Sequence, residues 1–274
     1  MHLRSFKDLN FNAVKRSRLH QYALFVAFWT LLLVMSGAAV TSSRDLPRQA
    51  PFQNIHLVVG TIDIVLLVGL SIWRAGWIVL AVAGVDAALG WYGAVGPVTG
   101  TLHAFLAALL FAAVAAISRR TSHSWQCDPE LVRDYGRPSL RFLSSAAAIL
   151  VAAQVAFGAG FRHSAVGVLP HLLGALVVAL FIVIVGAFVT TQFPKHASLR
   201  RMAVALMTIT AIQVFLGLTA FLMRLMNMAG TTVFLGISVA HVATGSLTFA
   251  VSVMLAMEIR RCVLPRAVVS GGTV

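Results

Sequence analysis

Long apolar segments joined by short polar connections dominate the hydrophobic pattern of this chain. Each segment is close to the roughly 20 apolar residues that a helix needs to cross a bilayer. Backbone groups in lipid must pair within their own segment, so the pattern predicts an all-α membrane protein with eight transmembrane helices. The predicted segments lie at residues 21–42, 53–73, 77–96, 100–118, 141–161, 169–191, 202–226 and 233–259.

The longest polar stretch, at 121–140, divides these segments into two sets of four. We predict a first four-helix half at 1–120, a cytoplasmic linker at 121–140, and a second four-helix half with a cytoplasmic tail at 141–274. Four helices per half is an even number, so both halves insert in the same orientation. The two bundles are therefore expected to be pseudo-symmetric about an axis along the membrane normal.

Composition agrees with a membrane protein, since 59% of residues are hydrophobic, 11% are charged and the mean hydropathy is +0.90. A net charge of +13 is typical of nucleic-acid binding, but the distribution of the charge argues against such a partner. Most basic residues cluster before the first segment and in alternate connections, on one side of the membrane. By the positive-inside rule both termini are cytoplasmic, in a multi-pass protein of the cell (inner) membrane. Four arginines are predicted on the other side: Arg44, Arg48, Arg162 and Arg224.

One histidine lies near the start of each even-numbered segment, at positions 56, 103, 171 and 241. A polar side chain in lipid is costly and is functional by default. All even segments run the same way, so these imidazoles lie at similar depth and can form two facing pairs, His56/His103 and His171/His241. Each pair would ligate a haem iron from both faces. A zinc or copper site, or a packing or proton-relay role for each histidine, is the alternative.

The odd-numbered segments share a second pattern, a glycine with a polar residue ahead of it. The segments therefore predict a repeated unit that occurs four times. Each unit consists of an odd-numbered helix with a small-residue face, a short loop, and an even-numbered helix with a histidine near its start. The polar residues and glycines are Asp86 and Gly90, Gln154 and Gly158, Gln213 and Gly217, and, in the first segment, Ser36 and Gly37. Glycines beside the histidines are expected to leave room for a flat macrocycle: Gly60, Gly174 and Gly245.

Three further polar residues lie near the predicted sites. Asp63 is seven residues past His56 and shares its helix face, and Asp86 lies in the third segment. Each acid either relays protons or is a protonated group that hydrogen-bonds a neighbouring helix. Arg162, with His163 beside it, lies outside the second-half site, where it either pairs with a haem propionate or is a solvated loop charge.

Over nearly its whole length the chain resembles the haem A synthase family. The resemblance rests on residues 154–164 (QVAFGAGFRHS), residues 213–217 and the pair Ala240-His241. It implies haem b in the second half and haem O as the substrate in the first half, where a methyl group is oxidised to the formyl group of haem A for cytochrome oxidase assembly. It also implies haem O synthase, and a quinol or another redox partner, as partners.

The chain departs from that family at the site of oxidation. The family has a catalytic glutamate three residues before the first-half histidine, whereas this chain has Gln53, which cannot act as a general base. Gln53 or Asp63 would have to take over that role, so these are the catalytic candidates. Leu57 and Leu172 stand where the family often has arginine. The alternative function is a non-enzymatic electron-transfer subunit with a second haem b in the first half.

Overall fold

The computed structural model describes residues 6–44, 46, 52–72, 76–93, 96–134 and 136–265. Arg48 lies outside the described residues, as do residue 73 of the second predicted segment, residues 94–95 of the third and the outermost residues of the two predicted halves.

Helices account for nearly all of the secondary structure in the described residues. The elements are α1 (Phe6–Ser42), α2 (Phe52–Ser71), α3 (Gly76–Gly93), α4 (Pro97–Thr121), α5 (His123–Gln126), β1 (Val132–Arg133), α6 (Leu140–Arg162), α7 (Val168–Gln192), α8 (Ala197–Leu225), α9 (Thr232–Cys262) and β2 (Val263–Leu264). Seven of these helices are long and apolar enough to cross a membrane, and α3 is a shorter apolar helix. The prediction of an all-α, multi-pass membrane protein is confirmed.

Local sequence signals set several helix ends. Pro97 stands at the first position of α4, where its missing N–H costs no hydrogen bond. Ser139 Oγ accepts from the Phe142 N–H at 3.3 Å to cap α6, and Thr231 Oγ1 accepts from the Phe234 N–H at 3.2 Å to cap α9. Ser164, just past the end of α6, adopts φ 61°, a left-handed conformation that ends the helix.

The helices pack as two rings of four. In one ring α1 contacts α2 and α4, and α3 contacts α2 and α4; in the other α6 contacts α7 and α9, and α8 contacts α7 and α9. The rings meet where α1 and α4 pack against α9, and where α4 packs against α6. Accordingly the apolar stretch of α9 is 56% buried and that of α8 only 11%. Large apolar side chains on the outer faces are exposed, as a lipid-facing surface requires.

The end of the bundle where α4 ends and α6 begins, here called the linker end, is held by polar contacts. Glu258 of α9 accepts from Arg119 Nη2 of α4 at 2.9 Å and from Ser198 Oγ of α8 at 2.7 Å. Strands β1 and β2 pair in parallel, with Val132 opposite Val263. Trp125 of the predicted linker lies against Arg119 of α4 and Arg261 of α9, so the linker packs on helices of both rings. The opposite end, where the four histidines lie, is called the histidine end.

Candidate functional site

The structure brings the four histidines together in two pairs. The ring centroids of His56 and His103 are 6.0 Å apart, with an angle of 80° between the ring planes. Those of His171 and His241 are 6.2 Å apart, with an angle of 81°. One pair lies in each ring of four helices, and the two pairs are nearly identical in distance and angle.

Each imidazole packs against a glycine of the apolar helix that precedes its own in the chain. A Cβ added to Gly37 would lie 3.1 Å from Cε1 of His56, and one added to Gly90 would lie 3.0 Å from Cε1 of His103. A Cβ added to Gly158 would lie 2.8 Å from Cε1 of His171, and one added to Gly217 would lie 2.7 Å from Cε1 of His241. We call these four glycines (Gly37, Gly90, Gly158 and Gly217) the seat glycines. Any larger residue at a seat would push the imidazole away.

In the first ring, both histidines hydrogen-bond through Nδ1 to the preceding helix. Ser36 Oγ lies 2.9 Å from His56 Nδ1 and donates to the Leu33 carbonyl oxygen at 2.8 Å. His103 Nδ1 lies 2.9 Å from Asp86 Oδ1 and 3.1 Å from the Asp86 carbonyl oxygen. Leu33 and Asp86 each stand four residues before their seat glycine, one helical turn away.

The second ring repeats this arrangement with neutral amides. Gln154 Nε2 lies 2.9 Å from His171 Nδ1 and donates to the His171 carbonyl oxygen at 2.7 Å. His241 Nδ1 donates to the Gln213 carbonyl oxygen at 3.2 Å. The Gln213 side chain accepts a hydrogen bond from Thr244 Oγ1 of α9. Both glutamines stand four residues before a seat glycine.

At His103 and His241 these contacts fix which nitrogen of the imidazole is available. A neutral imidazole has one N–H and one lone pair, and a backbone carbonyl oxygen at Nδ1 holds the N–H there. The lone pair is then on Nε2, which has no hydrogen bond within the part of the chain that the structure describes. A metal-ligating histidine is typically oriented in this way.

The centroid separation of each pair matches that of two imidazoles bound to one metal atom. A metal bound to both Nε2 atoms at about 2 Å, with about 1.1 Å from each nitrogen to its ring centre, sets the centroids about 6 Å apart. No group of three or more His, Cys, Asp or Glu side chains able to hold a metal occurs among the described residues. A bare zinc or copper ion would lack ligands, whereas a porphyrin supplies four nitrogens and needs only two from the protein.

The glycines beside the histidines have a different role from the one expected. A Cβ on Gly60 would contact Leu33 at 3.4 Å, one on Gly245 would contact Gln213 Nε2 at 2.8 Å, and one on Gly174 would overlap Gln154 Oε1. The expectation that these glycines leave room for a macrocycle is therefore wrong for Gly174 and Gly245, whose Cβ positions are filled by a glutamine side chain, and it stays a prediction for Gly60. They let the even helix approach the residue that lies one turn before each seat glycine.

Asp63 lies at the contact between α1 and α2. Its side chain is buried, and Oδ1 accepts a hydrogen bond of 2.9 Å from Thr30 Oγ1 of α1. It is also within electrostatic range of Asp86. The first ring therefore contains two buried carboxyl groups, one on a histidine and one nearby.

Gln53 and Arg162 lie at the histidine end. Gln53 is exposed in the first turn of α2, one turn before His56. Arg162 Nη2 donates to the Ala38 carbonyl oxygen and to Ser42 Oγ, both at 3.0 Å, so it satisfies groups in the last turns of α1. A cation suits that position because the C-terminal end of a helix carries partial negative charge.

His163 packs on the first ring although it follows α6 of the second. Its imidazole fills the space beside Gly100, three residues before His103, so that a Cβ on this glycine would overlap the ring. Burial, together with the charges of Arg44 and Arg162, lowers the pKa of His163 to about 4, so it is neutral at neutral pH. The expectation that Arg162-His163 lies outside the second-half site missed this crossing.

No protein-family model and no curated protein matches this chain. Thr30, Leu33 and Thr244 were not predicted because each contributes only through a neighbour: Thr30 donates to Asp63, Thr244 donates to Gln213, and the Leu33 carbonyl accepts from Ser36, which lies on His56. Thr30 lies seven residues before Gly37, and Asp63 lies seven residues after His56. These equal spacings are the sequence signal that predicts a contact between Thr30 and Asp63.

Proposed function

We propose that this protein is a haem-binding oxidoreductase of the membrane that resembles haem A synthase. In this proposal haem b is held by His171 and His241, and haem O binds as substrate between His56 and His103. The observation that carries the proposal is the pair of matching sites, each with two imidazoles at centroid distances of 6.0 and 6.2 Å and no third ligand among the described residues.

The proposed architecture is eight transmembrane helices in two pseudo-symmetric halves. Two observations support it: each contact within the ring α1–α4 has a counterpart within the ring α6–α9, and the α1–α9 contact has its counterpart in α4–α6. The short helix α3 then serves as the third span, because it supplies Asp86 and Gly90 to His103 as α8 supplies Gln213 and Gly217 to His241.

We further propose that the linker end faces the cytoplasm, with the histidine end on the other side of the cell (inner) membrane. Basic residues are abundant at the linker end, in the last turns of α4 and α9 and in the first turns of α6 and α8. Cytoplasmic loops carry such an excess of lysine and arginine. The two pairs of histidines would then lie in the outer leaflet.

When bound, haem supplies an iron atom that exchanges single electrons, and haem O supplies the methyl group to be oxidised. Backbone carbonyl oxygens hold the Nδ1–H of His103 and of His241 on the neighbouring helix and leave their Nε2 free as a ligand. Buried Asp63 is the group of the first ring that holds a proton near the substrate, Asp86 accepts from His103, and Gln53 orients water or a haem edge at the mouth.

A second candidate function is a non-enzymatic electron carrier with two resident haems b. It is favoured by one observation: the His56/His103 pair is as complete as the His171/His241 pair. Because Gln53 cannot accept a proton as a glutamate would, the first-half site would then hold a haem without oxidising it.

The two functions are separated by purifying the protein from cells that make haem O and chromatographing the extracted pigment. Haem A or its hydroxylated intermediate is the expected product, with His56→Ala and His103→Ala abolishing it while the second-half haem stays bound. Haem b alone, at about two per chain and with no turnover, would establish the electron carrier instead.

A further inference from the structure

Among the four histidines, His103 alone has a carboxylate in the described structure. Asp86 Oδ1 is 2.9 Å from its Nδ1. The corresponding side chains in the other units are the Ser36 hydroxyl and the Gln154 and Gln213 amides, all neutral. The two halves therefore differ in the charge of the group that lies on a histidine.

Asp86 occupies the same structural position as the two glutamines. Each stands four residues before a seat glycine on the helix that precedes the histidine, and the backbone carbonyls of Asp86 and Gln213 also contact the ring. At this position the two halves therefore differ in one functional group, a carboxylate in place of an amide.

Burial makes that difference large. Asp86 is only 4% exposed, and its one ion-pair partner among the described residues is His103. A charge-assisted hydrogen bond is roughly twice as strong as a neutral one, and a low-dielectric surrounding strengthens it further. A carboxylate on the far nitrogen of a metal-bound histidine makes that imidazole a stronger electron donor to the metal. A stronger donor stabilises the ferric state relative to the ferrous state.

We propose that Asp86 holds the first-half haem at a lower reduction potential than the second-half haem. This inference rests on the proposed binding of haem at both pairs. With haem at both pairs, this difference would favour transfer of one electron from the ferrous iron held by His56 and His103 to the ferric iron held by His171 and His241. The first would be oxidised as the second is reduced, and Asp86 would direct the electron out of the half in which the substrate would be oxidised.

Potentiometric titration of the purified dihaem protein, followed by absorbance, tests this proposal. The wild type is expected to show two steps, and His171→Ala, which retains only the first-half haem, should retain the lower one. Asp86→Asn preserves the shape of the side chain and should raise the lower step while leaving the upper step unmoved. An unmoved lower step, in a protein that still binds both haems, would overturn the proposal.

Two further variants keep the test decisive if Asp86→Asn fails to fold. Gln154→Glu puts a carboxylate on His171 and should lower the upper step. Asp63→Asn removes a buried acid of the same half that does not contact a histidine, so its shift of the lower step should be smaller than that of Asp86→Asn. Equal shifts would assign the effect to charge at a distance and contradict the role of the hydrogen bond. A wild type without haem would instead refute the proposed function itself.

Discussion

The two rings of helices hold their histidines in the same way but surround them with different polar groups. In both, an imidazole rests on a seat glycine and its Nδ1 faces the residue one turn earlier. The first ring adds Asp86 on a histidine and Asp63 on Thr30. The second ring has two buried valines at the equivalent positions. Val151 lies seven residues before its seat glycine, as Thr30 does, and Val178 lies seven residues after its histidine, as Asp63 does.

This difference separates the scaffold from the chemistry. The seat glycine and the histidine are common to all four units, so in the proposed function they are what a haem pair requires. Among the described residues, buried acids beside a histidine pair occur in the first ring only, where they provide sites for protons that Val151 and Val178 in the second ring lack. In the proposed function the second ring would hold a haem, and the first ring would couple proton and electron movement.

Removing a histidine from either ring should have the largest effect. His171→Ala or His241→Ala should abolish one low-spin haem, which is about half of the bound haem, because a single imidazole leaves the iron without its second axial ligand. The first-half haem should remain, as measured by the pyridine haemochrome and the reduced-minus-oxidised spectrum. His123→Ala, in α5 of the linker, is the control and should change neither haem. Retention of both haems in His241→Ala would refute the second-half site.

Replacing the buried polar pair of the first ring, Thr30 and Asp63, by the valines of the second ring should mainly affect the oxidation of haem O. Thr30→Val with Asp63→Val copies Val151 and Val178, so both haems should stay bound. If Asp63 handles a proton in the reaction, production of haem A should fall by about 100-fold or more, which is the usual contribution of an acid–base group. Haem A yield per bound haem is the measurement. An unchanged yield would reduce Asp63 to a packing group.

Filling a seat should weaken haem binding without removing a ligand. Gly217→Ala and Gly158→Ala place a Cβ 2.7 and 2.8 Å from the imidazoles, which must shift. Overpacking of this kind costs about 1–3 kcal/mol, equivalent to a loss of haem affinity of roughly 5- to 150-fold. Gly236→Ala on α9 is the matched control, since nothing lies within 4 Å of its added Cβ. The measurement is titration of haem into the apoprotein. Equal affinities for Gly217→Ala and Gly236→Ala would contradict the role of the seat glycine.

The smallest effect is expected at the mouth of the first-half site. Gln53→Glu restores a carboxylate one turn before His56, but the side chain is exposed, so we expect a rise of only a few-fold in haem A yield. Second-half binding should be unaffected in the same preparation. No rise with any haem substrate would favour the electron carrier.

The sequence predicted the helices and the histidine pairs well because both depend on repeated patterns. Apolar segments of bilayer length mark the helices, and one histidine per even segment marks the pairs. It could not predict how side chains are shared between elements. Arg162 binds the end of α1 and His163 packs on α4, and both contacts cross between rings that are far apart in sequence. The role of Gly174 was misjudged for the same reason, since its neighbour Gln154 is on another helix.

The central claim is that two matching pairs of imidazoles each hold one haem iron. The most direct test is electron paramagnetic resonance of the purified ferric protein together with a haem-to-protein ratio. Imidazole planes at 80° and 81° leave the iron d orbitals nearly equivalent, so each haem should give a strongly anisotropic low-spin signal. We expect two such signals at about two haems per chain, with one lost in His171→Ala. A haem-free protein, or high-spin iron at both sites, would contradict the account.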